Sequence, residues 1–404
     1  MILFINILLI TSGIIYFLFV NYYLRGLQNL ALTNKLELDD SVLPEISILL
    51  TARNEEKDIE ETIISLSKQN YPIEKYKIIA VDDRSTDKTG DILNNLLDRV
   101  KNLDIIYLTE DDFYDFRNGK KVKKKNLSKK DALRIGIASL TTEFVITTDA
   151  DCEYDKNWLR SYCTIIATNK DQSSEKLGFV GGMTIFHKEN YKNLFEKIWQ
   201  EMQNIDYFSH SLLGAGAIGH GKGLTANGNN MMLRRSLYDD SDSTDITNRK
   251  YASGDDFFLI QAAEERKLEL QFLTNEESIV RTKPVDTLKE LFNQRARWAS
   301  KAGGSNKFGL FFSINTFIFY IGILSYLVLL SIFDSQFSIS IFLILLLLKI
   351  LPDTLFLSYG FGKFNIRFKP LYYILLQFFH IPFNIAVAIK GIVFGFTWKG
   401  QKFN

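Results

Sequence analysis

Two aspartates one residue apart follow a short apolar run, in the sequence Thr148-Asp149-Ala150-Asp151. Hard divalent cations prefer oxygen ligands and often bind one or two carboxylates together with substrate phosphates. The pair therefore predicts a site where a cation neutralises a diphosphate. A turn is the competing interpretation, because aspartate is common wherever a strand ends.

Two further acidic pairs lie elsewhere in the chain. Asp82 and Asp83 follow an earlier apolar run, and Asp255 and Asp256 follow Gly254 at the start of a predicted helix. Acids at a helix start are also favoured by the positive end of the helix dipole, so capping alone would explain the later pair.

The segment Gln294-Arg295-Ala296-Arg297-Trp298 precedes a hydrophobic block. At positions i, i+3 and i+4 of a helix, Gln294, Arg297 and Trp298 share one face. An arginine can bind a diphosphate with two parallel hydrogen bonds, and a flat tryptophan ring can support a sugar. An Arg-Trp belt at a membrane interface is the alternative.

These residues need elements that bring them together, and the pattern between them predicts strands alternating with helices. Such alternation indicates an α/β fold with a mostly parallel sheet, whose ligands bind beyond the carboxyl ends of the strands. The acidic residues lie at those ends, so we expect them to share one crevice. The predicted strands are 46–50, 77–81, 104–108 and 143–147, and the predicted helices are 56–69, 87–100 and 128–139.

Composition excludes two classes of protein. The 48 basic and 47 acidic side chains leave a net charge of +1 in 404 residues, without the basic stripe of a nucleic-acid-binding protein. Cys152 and Cys163 are too few for a disulfide framework or a zinc site, and they fit a reducing compartment.

Long charge-free segments predict membrane helices at both ends of the chain. Residues 1–24 are long enough to span a bilayer and lack the basic start of a signal peptide, which favours an uncleaved anchor. Residues 308–333, 337–348 and 370–389 predict about three further spans. A re-entrant middle segment is the alternative, and whether 337–358 fully spans stays open, because Lys349 and Asp353 fall there.

The predicted domains are therefore an anchor at 1–24, a catalytic domain at 43–305 and a membrane domain at 308–396. The loop before the last span carries Lys363, Arg367 and Lys369, and basic loops stay cytoplasmic. We therefore expect an integral protein of the bacterial inner membrane with its catalytic domain in the cytoplasm. Lys399 and Lys402 would lie outside, which counts against this orientation.

The acidic pairs and the Gln-x-x-Arg-Trp spacing together resemble the membrane-bound inverting glycosyltransferases of family 2, over roughly residues 45–300. The resemblance implies a GT-A nucleotide-sugar-binding domain with N- and C-terminal transmembrane helices. It implies Mg²⁺ or Mn²⁺ held by Asp149 and Asp151, with Asp151 nearer the metal, and Asp256 as the catalytic base. It places the donor against Ala52, Asn54, Glu55, Asp83, Asp82 and Asp149.

Weaker signals extend the predicted site. The segment Gly119 to Lys130 contains seven lysines, of which Lys129 is the best candidate to contact the donor diphosphate; a solvated loop is the alternative. Asn230 resembles an acceptor-side residue of the family, although turn chemistry competes. Asp255 joins Gln294, Arg297 and Trp298 on the acceptor or diphosphate side.

The resemblance implies that a sugar moves from a nucleotide-sugar donor, with a UDP-sugar favoured, to a lipid or saccharide acceptor at the membrane face. Membrane lipids are the other expected partners, and nucleic acid is not one. Similar proteins include ceramide glucosyltransferases and poly-N-acetylglucosamine synthases, so single transfer and processive synthesis both stay open. Four spans are few for a polymer-translocating enzyme, which favours single transfer. Nucleotidyl or phosphoryl transfer and a noncatalytic scaffold are the alternatives from other classes.

Overall fold

The computed structural model describes residues 2–33, 38–112, 114–117, 120–123, 128–169, 176–187, 191–239, 254–332, 336–398 and 401–403. The helices are α1 Ile2–Asn29, α2 Ile59–Ser67, α3 Thr89–Leu97, α4 Lys129–Ala138, α5 Trp158–Asn169, α6 Leu194–Ile218, α7 Ser236–Asp239, α8 Asp255–Glu265, α9 Leu288–Ala299, α10 Lys307–Ile332, α11 Gln336–Lys363 and α12 Pro370–Ile389.

The strands are β1 Ile46–Ala52, β2 Tyr76–Asp83, β3 Leu103–Leu108, β4 Tyr114–Arg117, β5 Lys120–Lys123, β6 Phe144–Asp149, β7 Leu177–Gly181, β8 Thr184–Phe186, β9 Met231–Arg234, β10 Glu269–Phe272, β11 Val280–Thr282, β12 Phe396–Trp398 and β13 Gln401–Phe403.

The chain divides into two compact units. The sheet unit comprises Leu30–Lys188 and Gly221–Lys283, and the helical unit comprises Met1–Asn29, Glu189–His220 and Pro284–Asn404. Helices α6 and α9 thus pack with the long apolar helices, so the predicted catalytic range 43–305 does not coincide with one compact unit.

The sheet unit is built on a seven-stranded sheet in the order β10-β7-β9-β6-β1-β2-β3. Strand β9 runs antiparallel to both of its neighbours, and the other pairs are parallel. The predicted α/β fold with a mostly parallel sheet is therefore confirmed. Strand β2 continues through Asp83, so Asp82 and Asp83 lie within it rather than after it.

Strand β1 shows why these residues form a central strand. Ile48 and Leu50 belong to the core that also contains Ile63 of α2, whereas Leu49 lies close to Gly136 of α4. Successive side chains of a strand point to opposite faces, so a strand covered by helices on both faces must be apolar throughout. The side chains of β1 are buried along almost its whole length.

Helix starts follow the predicted capping pattern in one place and differ in another. Ser128 and Asp131 form a reciprocal capping box at the start of α4, as the Ser-x-x-Asp spacing predicts. Helix α2 begins at Ile59 instead of residue 56, because the residues before it bond to the loop after β2. The backbone N–H of Glu56, for example, donates to Asp87 at 3.2 Å.

The helical unit contains four helices that are long and apolar enough to cross a membrane, over Leu3–Asn29, Lys307–Leu330, Ile339–Lys363 and Pro370–Phe394. The middle span is one continuous helix, α11, which includes Pro352 and ends well beyond the predicted residue 348. The basic loop predicted at 359–369 is accordingly shortened to residues 364–369. Lys399 lies outside the described residues, as does the side chain of Lys402.

A buried polar cluster connects the four helices. Lys349 of α11 is 1% exposed, donates to Asp353 at 3.0 Å and also donates to Gln377 of α12. Tyr16 of α1 donates to the same Asp353 at 2.8 Å, and the Lys349 ammonium lies 5.6 Å from the ring centre of Tyr320 in α10. In apolar surroundings a charge needs a partner. The ion pair within α11 supplies one, and its hydrogen bonds to Gln377 of α12 and Tyr16 of α1 connect the helices.

Helices α1 and α6 approach each other at glycines. A methyl group on Gly26 would lie 1.8 Å from the carbonyl oxygen of Gly216, and one on Gly219 would lie 1.9 Å from the carbonyl oxygen of Gly26. The two backbones are therefore in direct contact, and only residues without a side chain fit there.

We expect Gly216→Ala to destabilise the helical unit by about 1–3 kcal/mol, the usual cost of overpacking. Its new methyl group would lie 2.5 Å from the carbonyl oxygen of Tyr23, a backbone atom that cannot rotate away. Gly362→Ala in α11 is the matched control, because no heavy atom lies within 4 Å of the added methyl group. Thermal unfolding in detergent measures both, and equal melting temperatures would contradict the close crossing.

Candidate active site

The carboxyl ends of the parallel strands bring the predicted donor residues to one edge of the sheet. Thr51 on β1 lies opposite Asp149 on β6, and Ala52 on β1 lies opposite Asp82 on β2. Neighbouring strands are about 4.8 Å apart, so side chains from three strand ends reach the same crevice.

The loops after β1 and β2 hold each other in place. The Asn54 backbone N–H donates to the Ser85 hydroxyl at 3.0 Å, and the Thr86 N–H donates to the Asn54 side-chain oxygen at 2.8 Å. The Glu55 N–H donates to the Thr89 hydroxyl at 2.8 Å. Asn54 thus has a structural task, and its left-handed φ of 57° suits Asn, whose side chain tolerates that region.

Asp82 and Asp83 are both buried, at 6% and 3% exposure, and both shape the loop after β2. Asp82 accepts the Ser85 N–H at 3.0 Å, while Asp83 accepts from the Arg84 guanidinium at 2.7 Å. Because Asp83 is on β2, it lies two strands away from Asp149, at the same sheet edge.

The acidic pair is held at the end of β6 by contacts from distant elements. Asp149 is the last residue of the strand and forms an ion pair with Lys129 at the start of α4. The Thr62 hydroxyl of α2 fixes the turn by donating to the carbonyl oxygens of Ala150 at 2.9 Å and Cys152 at 3.0 Å.

Two neutral groups donate to the Asp151 carboxylate: the Thr282 hydroxyl at 3.2 Å and the Cys152 thiol at 3.5 Å. Burial, followed by the nearby charges of Asp149 and Glu55, raises the pKa of Asp151 from its ordinary 3.8 to about 6. Like charges are therefore crowded around this carboxyl group.

Asp256 is in the first turn of α8, next to the end of β6. Its Oδ1 accepts the N–H of Phe257 at 2.7 Å, and a methyl group on Gly228 would lie 3.5 Å from its Oδ2. The Thr147 hydroxyl of β6 donates to the Gly228 carbonyl at 3.1 Å. Gly254, the residue before α8, has a φ of 103°, which favours glycine.

Lys129 lies close to the aspartates of both β6 and α8. Burial lowers its pKa, but the carboxylates of Asp149, Asp255 and Asp256 outweigh burial and raise the pKa of Lys129 above its ordinary value. The structure thus brings Asp149, Asp255 and Asp256 close to Lys129. The charge of Asp149 also acts on Asp151. The side chains of residues 120–127, in the rest of the lysine-rich segment, lie outside the described part of the chain.

The site suits a hard divalent cation that is shared with a ligand. Asp149 and Asp151 supply carboxylate oxygens in a crowded negative region, which is the donor set such ions prefer. Within the described ranges, no cluster of three or more His, Cys, Asp or Glu side chains is placed to hold an ion.

Asn230 is fully buried at the start of β9. Its Oδ1 accepts from the Trp158 indole at 3.0 Å and the Tyr162 hydroxyl at 2.8 Å, and its Nδ2 donates to the carbonyl oxygens of Met183 at 2.8 Å and Ser278 at 3.0 Å. All four hydrogen-bonding positions of the amide are used. This geometry favours a structural role for Asn230 over the predicted acceptor contact.

Gln294, Arg297 and Trp298 lie on α9 in the helical unit, and all three are half-buried. The Trp298 ring meets His210 of α6 edge-on, with ring centres 5.1 Å apart.

Several residues around the site escaped sequence analysis because their partners are distant in the chain. Thr282, which donates to Asp151, is 131 residues away from it, and Thr62 reaches the acidic turn from 88 residues away. Single threonines within a strand and a helix have no local pattern that marks such a role. In contrast, the acids themselves follow apolar runs, which made them visible.

Comparison with known proteins identifies related sequences. A profile described as "Glycosyl transferase family 2" matches residues 47–173, and one described as "Glycosyl transferase family group 2" matches residues 144–386. Together these matches extend from β1 into α12.

Individual relatives have low sequence identity to this chain. The probable glycosyltransferase YdaM of Bacillus subtilis is 27% identical over 271 residues, covering 64% of this chain and 55% of its own length. A Methanococcus voltae enzyme, dolichyl N-acetyl-alpha-D-glucosaminyl phosphate 3-beta-D-2,3-diacetamido-2,3-dideoxy-beta-D-glucuronosyltransferase, is 27% identical over 153 residues, covering 38% of this chain and 43% of its own length. The matches thus span about half the length of these relatives.

Among solved structures, the mannosyltransferase PcManGT of Pyrobaculum calidifontis, in complex with GDP-Man and Mn²⁺, matches with a TM-score of 0.56. The alignment covers 96% of this chain and 98% of that one at 17% identity. At this identity the likeness concerns the fold, and it confirms the predicted GT-A architecture.

We expect Asp151→Asn to stabilise the metal-free protein above about pH 6 and to have little effect near pH 4. The folded protein holds the Asp151 proton more tightly than the unfolded chain, because the pKa rises from 3.8 to about 6. Wild-type stability is therefore lost as the pH rises through that window, and asparagine removes the loss. Thermal unfolding in chelator across this range tests it, with exposed Asp91→Asn as control; a pH-independent difference would contradict it.

Proposed function

The chain belongs to the family 2 glycosyltransferases, and from that premise we propose that it moves a sugar from a nucleotide-sugar donor to a lipid or saccharide acceptor at a membrane face, with inversion. The main observation that supports this proposal is that Asp149, Asp255, Asp256 and Lys129 lie together at the carboxyl edge of the sheet. At this edge positive charge can stabilise a diphosphate leaving group, and a carboxylate can accept the proton of an acceptor hydroxyl.

Asp256 is the proposed catalytic base. Inversion by direct displacement requires the acceptor hydroxyl to lose its proton as its oxygen attacks the anomeric carbon, opposite the departing diphosphate. Oδ1 of Asp256 is oriented by the Phe257 N–H, and Oδ2 lies beside Gly228, a residue without a side chain. A carboxylate oriented by the first turn of its own helix suits proton removal.

The leaving group needs positive charge, since breaking the sugar–phosphate bond leaves charge on the nucleotide. Asp149 and Asp151 would hold Mg²⁺ or Mn²⁺, which would supply that charge; the related fold of PcManGT was solved with GDP-Man and Mn²⁺. Lys129 supplies a second positive charge at the same place, since its ammonium contacts Asp149, one of the two proposed metal ligands. Asp151 is the better candidate for the metal contact, because neutral groups donate to its carboxylate whereas Asp149 is already paired with Lys129.

Donor binding is assigned to the loops after β1 and β2. Ala52, Asn54, Glu55, Asp82 and Asp83 are the proposed donor contacts, and the hydrogen bonds between the two loops would give the nucleoside a rigid site. We favour a UDP-sugar on the family resemblance. Gln294, Arg297 and Trp298 are the proposed acceptor contacts, and Asp255 is proposed to contact the acceptor or the diphosphate.

A lipid-linked acceptor is supported by the composition of the helical unit. Its four apolar helices can hold the chain at a bilayer, and the Methanococcus relative is named for a dolichyl-linked acceptor. Arg367 and Lys369, between α11 and α12, favour a cytoplasmic face for that loop, and we propose the bacterial inner membrane.

Asp256→Asn should lower kcat by about 10²- to 10⁴-fold, the usual contribution of a general base, while donor affinity stays near the wild-type value. Asparagine keeps an oxygen for the Phe257 N–H, so the helix start is preserved. Asp91→Asn makes the same change in the first turn of α3 and should leave kcat unchanged. Full activity of Asp256→Asn would remove the base from the proposal.

Purified protein in native lipid, offered radiolabelled nucleotide sugars one at a time, tests the reaction itself. We expect release of a nucleoside diphosphate and labelled product in the lipid extract, loss of transfer in chelator and recovery with Mn²⁺. Because Asp149 and Asp151 are the proposed ligands, Mn²⁺ should raise the melting temperature of the wild type and not of Asp151→Asn. A ladder of products would indicate polymer synthesis, and released pyrophosphate would indicate nucleotidyl transfer.

A further inference from the structure

Arg295 lies between the residues of the Gln-x-x-Arg-Trp motif, and its side chain is 6% exposed. Gln294 and Trp298, on the same helix α9, are half-buried. A buried guanidinium needs hydrogen-bond partners on several sides, because it has five N–H groups and is always charged. The contacts of the Arg295 guanidinium therefore show which side chains it orients.

The main partner is Asp206 of α6. The Arg295 Nε donates to Asp206 Oδ2 at 2.8 Å, and Nη2 lies 2.6 Å from the same oxygen. Burial raises the pKa of Asp206, but the Arg295 charge outweighs it and holds that pKa below its ordinary value. The pair is thus ionised at neutral pH and anchors α9 to α6.

The second contact fixes an amide. Arg295 Nη1 donates to the Gln294 side-chain oxygen at 2.8 Å. Since arginine has no acceptor, the Gln294 oxygen must face it, and the Gln294 NH₂ group is the end left for other partners.

The third contact fixes a ring. The Arg295 guanidinium carbon lies 4.0 Å from the centre of the Trp298 ring, and Tyr207, next to Asp206, lies 5.9 Å from that ring. A guanidinium over an indole face is favourable by about 0.5–2 kcal/mol. One buried arginine thus sets the orientation of two side chains proposed to meet the acceptor.

We propose that Asp206 and Arg295 form a positioning pair that aims the Gln294 NH₂ group and the Trp298 ring at the acceptor. This inference rests on the proposed glycosyltransferase function. Neither member of the pair touches substrate in this scheme. The pair also sets a chemical preference, because Gln294 then offers a donor and selects an acceptor that presents an oxygen lone pair, such as a sugar hydroxyl or a phosphate oxygen.

Asp206→Asn should reduce kcat/KM for the acceptor by about 10- to 100-fold, the range expected when reacting groups are misplaced by a fraction of an ångström to 1 Å. The donor KM and the slow hydrolysis of donor without acceptor should stay unchanged. Arg295→Lys keeps the charge but loses the planar fork, and should show the same split between donor and acceptor. It serves as the second variant if Asp206→Asn folds poorly.

Glu201→Gln is the matched control. Glu201 is on the same helix, is 5% exposed and forms an ion pair with Lys369. Its loss should lower the melting temperature as much as Asp206→Asn does, while the acceptor KM keeps its wild-type value. Trp298 emission, taken as the difference from the same protein with Trp298→Phe, should shift in Asp206→Asn and Arg295→Lys but not in Glu201→Gln.

Two failures are distinguishable. If wild-type protein transfers sugar but Asp206→Asn and Glu201→Gln change the acceptor KM equally, the pair is only structural and the inference is wrong. If wild-type protein transfers no sugar from any donor, the proposed function fails. Unchanged Trp298 emission in Asp206→Asn would overturn the positioning inference in either case.

Discussion

Carboxylates repel one another at short range, and the carboxyl edge of the sheet gathers several of them around one lysine. Lys129 is paired with Asp149, whereas burial, followed by the charges of Asp149 and Glu55, raises the pKa of Asp151. Such a site repels an anionic ligand until more positive charge arrives. The acidic turn, the lysine and the diphosphate of the proposed nucleotide-sugar donor would therefore all depend on that added positive charge.

Holding acids this close requires a scaffold that cannot relax. Much of the polar chemistry near the site is therefore structural: Asn54 ties two loops together, Thr62 fixes the acidic turn, and Asn230 uses its whole amide in the core. Strand β9 contributes through its direction. Because it is antiparallel, its amino end lies at this edge, and the segment before it brings Gly228 beside Asp256.

Sequence reasoning predicted the sheet, the strand-end acids and the membrane helices, because each leaves a local signal: an apolar run, an acid after it, or a long charge-free stretch. It did not predict that α6 and α9 pack with the apolar helices, because the sequence of a helix does not indicate which other helices it contacts. The acceptor role of Asn230 was predicted from its resemblance to the family's acceptor-side segment, and no local pattern indicated the four buried hydrogen bonds of its amide. Partners such as Asp206 and Arg295, separated by 89 residues, lie beyond any local window.

The buried cluster in the helical unit constrains how the protein is made. Tyr16 of α1 finds its partner Asp353 only 337 positions later, and Asn6 and Ser12 likewise bond to Tyr326 and Asn315 of α10. The partners of these α1 side chains, in α10 and α11, are therefore synthesised long after α1 itself. A foreign helix in place of α1 would leave Asp353 without the hydrogen bond from Tyr16, so the polar cluster depends on this N-terminal segment.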